Sequence, residues 1–185
     1  MNKGLIAAIV VVLLIAVMGI SGYNSLVTMN EDTAGKWSQV ENQLQRRNDL
    51  IPNLVNTVQG FANQEKSIIN SVTEARAKMM GAKTPDDVSK ANGELTSVLS
   101  RLMVVVENYP QIKSDANFRQ LSDELSGTEN RLAVARRDYN NAVQALNTKI
   151  KSFPTNIYAG MFGFSAKQYF QVQESAKQVP VVNFK

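Results

Sequence analysis

From Leu5 to Ile20 the chain reads LIAAIVVVLLIAVMGI, and no charge falls between Gly4 and Tyr23. A membrane-spanning helix needs about 20 such residues. Hydrocarbon offers the backbone no outside partner, so the run is expected to be a helix that satisfies its own hydrogen bonds. A cleaved signal peptide has a shorter apolar core, about 7–15 residues, ending in a small-x-small site. Here the run is longer, and the nearest match, Gly19-Ile20-Ser21, is poor. A buried core helix is the other competing reading, but no second stretch of comparable apolarity exists to surround it. A retained N-terminal anchor is therefore expected.

Past Tyr23 the apolar residues fall at alternating steps of three and four. Trp37, Val40, Leu44, Ile51, Leu54, Val58, Phe61, Ile68, Val72, Ala75 and Met79 share one such frame, in which only Arg47 and Glu65 are polar. A stripe of this kind marks a helix that packs on other helices. Pro52 removes a backbone donor and Gly60 weakens a helix, so a kink or break is expected near one of them. Lys83-Thr84-Pro85 predicts a stop and restart, with Thr84 as N-cap and Pro85 in the first helical position. Val88, Ala91, Leu95, Val98, Leu102, Val105 and Tyr109 carry a second stripe, which ends at Asn108-Tyr109-Pro110. A third begins near Ser114 or Asp115 and runs through Phe118, Leu121, Leu125, Leu132, Ala135, Tyr139, Ala142 and Leu146, with Thr128 filling one slot. Short turns between long helices force antiparallel neighbours. The expected fold is all-α: one transmembrane helix, then an antiparallel three- to four-helix bundle with long helices. Its divisions are a tail at 1–4, a transmembrane helix at 5–23, the bundle at 24–153 and an aromatic-rich segment at 154–185. No alternating pattern predicts a strand, except over the last few residues.

Composition narrows the function. The chain has no Cys and no His. Disulfides, thiolate chemistry, imidazole ligands and the commonest general base are thereby absent. The carboxylates form no catalytic constellation: Asp86-Asp87 comes after Pro85, where negative charge suits a helix N-terminus. No glycine-rich phosphate loop appears. Net charge is +4 without a basic block, which argues against nucleic-acid binding. No enzyme activity, metal or cofactor is expected.

Two groups of residues stand out. In the block from Gln43 to Asp49, Arg47 occupies a seam position, and a buried guanidinium must be paired. Glu129, beside the Thr128 slot, is the expected partner, and Arg136 is expected to meet Asp49 or Glu65. Arg46, Arg47, Asp49, Glu129 and Arg136 are thus candidates for a structural ion-pair network or a partner site. The second group lies in the stretch from Phe153 onward, which holds seven of the chain's 13 aromatic residues. Tyr158, Phe162, Phe164, Tyr169 and Phe170 either cap the bundle or form an interface with another subunit or the membrane face.

The block Gln43-Leu44-Gln45-Arg46-Arg47-Asn48-Asp49-Leu50-Ile51-Pro52-Asn53-Leu54-Val55 closely resembles the LemA family of bacterial membrane proteins. Tyr23-Asn24-Ser25-Leu26-Val27, Trp37, Glu74-Ala75-Arg76, Tyr109-Pro110, Glu129-Asn130-Arg131, Ala135-Arg136, Tyr139-Asn140, Phe162-Gly163-Phe164 and Phe170 extend the likeness over essentially the whole chain. The resemblance implies a short tail, one membrane helix and an antiparallel helical bundle, and it carries over no catalytic residues. The family is also similar to proteins of magnetosome membranes.

The leading expectation is a non-enzymatic, membrane-anchored scaffold or adaptor of the bacterial envelope. It would self-associate as a homo-oligomer and present its bundle to other envelope proteins. The alternative is an envelope sensor that binds a ligand or peptide at the polar seam. Lys3 precedes the span, while Glu31 and Asp32 come after it before any cation. This pattern favours a single pass through the inner (cytoplasmic) membrane with the bundle on the periplasmic side.

Overall fold

The computed structural model describes residues 3–62 and 64–171. The described residues are helical throughout apart from short turns and the stretch after Tyr158, and none of them forms a strand. Among them are six helices, in order α1 (Lys3–Phe61), α2 (Lys66–Gly81), α3 (Pro85–Val106), α4 (Pro110–Ser114), α5 (Ala116–Lys151) and α6 (Thr155–Tyr158). The chain forms two compact units, each containing part of α1 and part of α5: Met1–Ser38 with Asp138–Lys167, and Gln39–Arg137 with Gln168–Lys185. The expectations about the final residues, including a strand there, lie outside the described residues, as does Phe184.

In the first unit, the apolar run is the first part of α1, and none of its most hydropathic window is buried. The helix continues past Tyr23 without a break. Beyond the run, Leu26 packs with Leu146 of α5 and Ala159, and Met29, Ile150, Tyr158 and Phe164 border this small core. Trp37 meets Tyr139 with ring centroids 5.0 Å apart. Advancing on α1 from Leu26 to Trp37 means retreating on α5 from Leu146 to Tyr139, so these stretches run antiparallel. After α5 the chain turns back and is held by Asn147. Its Nδ2 donates to Lys167 O at 2.9 Å, and its Oδ1 accepts from Lys167 N at 2.8 Å. Gly163, at φ +79°, makes a turn that an L side chain would strain.

In the second unit, α1 continues through Pro52 without a break. Proline lacks the N–H that would bond the carbonyl four residues back, at Asn48. That carbonyl instead accepts from Arg76 Nε of α2 at 3.0 Å. The interruption comes after Gly60: α1 ends at Phe61, and α2 starts at Lys66. The helical phase restarts there. Ala62 and Ile69 are buried, whereas Phe61 is exposed and Ile68 only half-buried, one position away from the expected stripe.

The α2–α3 turn is built as the sequence predicts. Thr84 Oγ1 accepts from Asp87 N at 3.1 Å and donates to Asp87 Oδ2 at 2.6 Å, and Pro85 opens α3. Lys78 pairs with Glu94 near this turn, and Tyr109 Oη donates to Glu65 at the far end. The two pairings make α2 and α3 antiparallel. Asp115 Oδ1 accepts from Phe118 N at 2.9 Å and so caps α5. Val40, Leu44, Ile51, Leu54 and Val58 of α1 are buried, as are Val72 and Ala75 of α2, Leu95 and Leu102 of α3, and Leu125 and Leu132 of α5.

Candidate functional site

The second unit encloses a dense polar cluster. Helical periodicity carries Arg47 to the inner face of α1, where the residue is 5% exposed. Its Nη1 donates to Asn92 Oδ1 of α3 at 2.8 Å and lies 2.6 Å from Glu129 Oε2 of α5. The Glu129 contact is an ion pair without hydrogen-bond alignment, so the directional bond goes to Asn92. Glu129 also lies 3.7 Å from Arg136 Nη2. The Arg136 guanidinium sits over the Phe170 ring, 5.5 Å from its centroid, at a distance that allows a cation–π contact. Beside it, Ser89 Oγ of α3 donates to Gln171 O. Residues 168–171 thus lie against α3 and α5 at the cluster.

Burial lowers the Arg47 pKa because the charged form loses solvent. The Glu129 carboxylate opposes that effect, and the Arg136 charge adds to it. One carboxylate therefore serves two guanidinium groups, and Asn92 supplies a neutral acceptor. Charged groups removed from water are costly unless geometry and hydrogen bonds compensate. This cluster links α1, α3 and α5 through side-chain contacts.

Of the five residues singled out in the sequence, the structure brings three together: Arg47, Glu129 and Arg136. Arg136 does not meet Asp49 or Glu65. Asp49 is exposed and accepts from Gln45 Nε2 one turn back, and Glu65 accepts from Tyr109 Oη. Arg136 lies on the same helix as Glu129, two turns along, and its long side chain reaches back to that nearer carboxylate. Arg46 points outward, 3.9 Å from Glu124. It borders an open surface groove of about 580 Å³ with Arg119, Asp123 and Arg131. Sequence reasoning missed Asn92 and Arg76. Asn92 adjoins the Ala91 seam position, which is a signal for an inward-facing amide. Nothing local identifies the carbonyl that Arg76 reaches.

The aromatic residues separate by burial. Phe170 is buried beside Arg136, and Tyr169 next to it is exposed. In the first unit, Tyr158 and Phe164 border the Leu26–Leu146 core. Tyr23 meets Phe162 and Phe164 edge-on, at 5.1 and 5.8 Å between centroids.

The model of the LemA family matches residues 36–184 of the chain. Magnetosome protein MamQ 2 of Paramagnetospirillum magneticum is 29% identical, over 98% of this chain and 78% of that protein. Magnetosome protein MamQ of Magnetospirillum gryphiswaldense is 27% identical, over 86% of this chain and 68% of its own length. Protein LemA of Metamycoplasma hominis is 24% identical, over 82% of this chain and 69% of that protein. With the exposed apolar run of α1, these similarities describe a membrane-associated helical protein with a single pass.

Proposed function

We propose that this chain, which belongs to the LemA family, is a non-enzymatic, membrane-anchored scaffold of the bacterial envelope. It assembles with further copies of itself and displays its helical domain to other envelope proteins. The observation that carries this reading is the internal pairing of Arg47. Its Nη1 contacts both Asn92 and Glu129, and the residue is closed to solvent. A ligand entering the polar seam would have to displace both partners, and each links its helix to α1. The buried charge of this cluster thus serves packing, which favours a scaffold over a sensor at that seam.

Lys3 on one side of the span, with Glu31 and Asp32 first on the other, supports a cytoplasmic N-terminus and an extracytoplasmic helical domain in the cytoplasmic membrane. Sedimentation equilibrium of the detergent-solubilised full chain tests self-association. Concentration-dependent multimers are expected, and a monomer at every concentration overturns the assembly. Because the chain has no cysteine, Ser97→Cys gives one unique thiol for topology. An impermeant maleimide should label it in intact spheroplasts. Labelling only after lysis reverses the orientation.

A further inference from the structure

The turn after α5 lies beside the point where α1 leaves its apolar run. Tyr158 fixes this placement: a Cβ added at Gly22 would lie 1.9 Å from Tyr158 Oη, so glycine is required for the ring to approach α1. Gly22 is two residues beyond Ile20, the last residue of the apolar run. That is about 3 Å along a helix. If α1 spans the bilayer, Tyr158 stands at the lipid–water boundary.

The surface there is unusually apolar. Phe153 is 80% exposed, Ile157 63%, Met161 83% and Phe162 54%. Contiguous exposure of large apolar side chains marks a surface that meets something other than water. Between this turn and α1 runs a groove of about 680 Å³, lined on one side by Ile15, Met18 and Gly22 and on the other by Lys149, Ile157 and Tyr158. Its apolar wall is continuous with the lipid-facing surface of the span. Its cation comes from the last turn of α5, which carries Lys149 and Lys151.

We propose that residues 153–162 form a second membrane contact, in which an anionic phospholipid of the adjoining leaflet lays an acyl chain along the groove and its phosphate against Lys149. The arrangement matches the amphiphile: an apolar channel at the depth of the chains, an ammonium at the depth of the headgroups, and Tyr23 and Tyr158 at the boundary, where such rings prefer to sit. This inference rests on the reading of α1 as a spanning helix.

The test uses the full cysteine-free chain with single spin labels at Val12→Cys, Glu31→Cys, Ile157→Cys and Met161→Cys, reconstituted in vesicles of phosphatidylcholine and phosphatidylglycerol. Collision with oxygen and with an aqueous nickel chelate reports depth, and circular dichroism confirms that each variant is folded. Labels at 157 and 161 should favour oxygen, as the label at 12 does, while the label at 31 favours nickel. If 157 and 161 behave like 31, the lipid contact is wrong and the span stands. If they are shielded from both reagents, the surface meets protein and the proposal falls. If the label at 12 also favours nickel, the spanning reading fails and this inference fails with it. Spin-labelled lipids then test the headgroup: one engaged cation gives a preference of about fivefold for phosphatidylglycerol over phosphatidylcholine, and Lys149→Gln should remove it. Equal affinity for the two lipids in the parent chain overturns the headgroup assignment.

Discussion

Arg76 supplies the hydrogen bond that Pro52 cannot. Its Nε donates at 3.0 Å to Asn48 O, the carbonyl left without its helical partner by the missing N–H of residue 52. A proline in a helix interior is thus accommodated by a side chain from the neighbouring helix, and α1 passes through it unbroken. Arg76→Met should lower stability by about 1–3 kcal/mol, the cost of a buried polar group left unpaired. Pro52→Ala restores the N–H, so the same Arg76→Met change should cost much less in that background. Urea unfolding of the four variants, followed by circular dichroism, measures the coupling. Additive effects would show that the two residues are unrelated.

The Arg47–Glu129 pair predicts an asymmetry. Glu129→Leu leaves the guanidinium of Arg47 buried with only Asn92 to hold it and removes the carboxylate between two cations. Its cost should approach that of a broken buried pair, about 3–5 kcal/mol. Arg47→Met leaves a carboxylate that is partly solvated and still faces Arg136, so its cost should be smaller. Thermal unfolding midpoints of the two variants decide the order, and a larger loss for Arg47→Met would contradict the assignment.

Tyr109 holds its proton more tightly than a free tyrosine. The hydrogen bond to Glu65 is the largest cause; burial and the Glu65 charge act in the same direction. The protonated phenol is the donor, so the bond's contribution is complete below the ordinary tyrosine value of about 10. It is lost as the pH rises through the higher folded value. Spectrophotometric titration of the folded chain should show a late-ionising tyrosine. Glu65→Gln should move that group back towards the ordinary range, leaving Tyr139, raised by burial alone, as the late one. An unchanged titration curve in the variant would exclude the Glu65 bond.

Asn147 ties the chain after α5 through both the amide and the carbonyl of Lys167. Asn147→Leu removes both bonds while keeping side-chain volume, at a cost of about 1–3 kcal/mol for the unpaired groups. Limited proteolysis should then cut between 160 and 171 well before the helices are attacked. Equal resistance in parent and variant would mean that the tie is not limiting.

Much of the helical architecture is legible in the sequence because it depends on near neighbours. The Thr84-Pro85 start of α3 and the Asp115 cap of α5 use bonds that close within three residues. The seam position of Arg47 and its partner Glu129 come from periodicity, since helical repeats fix which face a residue occupies. Periodicity fails where it is interrupted. The spacing places Phe61 and Ile68 on the buried stripe, but the turn between α1 and α2 resets the phase and buries Ala62 and Ile69 instead. It also fails for long side chains. The face occupied by Arg136 is a property of the helix, but the carboxylate it meets depends on which acidic groups lie within reach.

The sequence alone determined the lipid-soluble run, the helical stripes, the capped turns and the poverty of reactive groups, all of which arise from composition and from spacings within a few turns. Tertiary structure decided that Arg76 satisfies the carbonyl freed by Pro52, that Phe170 is buried beside Arg136, and that the residues around α6 leave Phe153, Ile157 and Met161 facing outward next to the span. Each of these joins residues distant along the chain, or turns on which side of an irregular turn faces inward. No local repeat encodes such pairings; they are set when helices pack and the remaining polar and apolar groups compete for the partners left within reach.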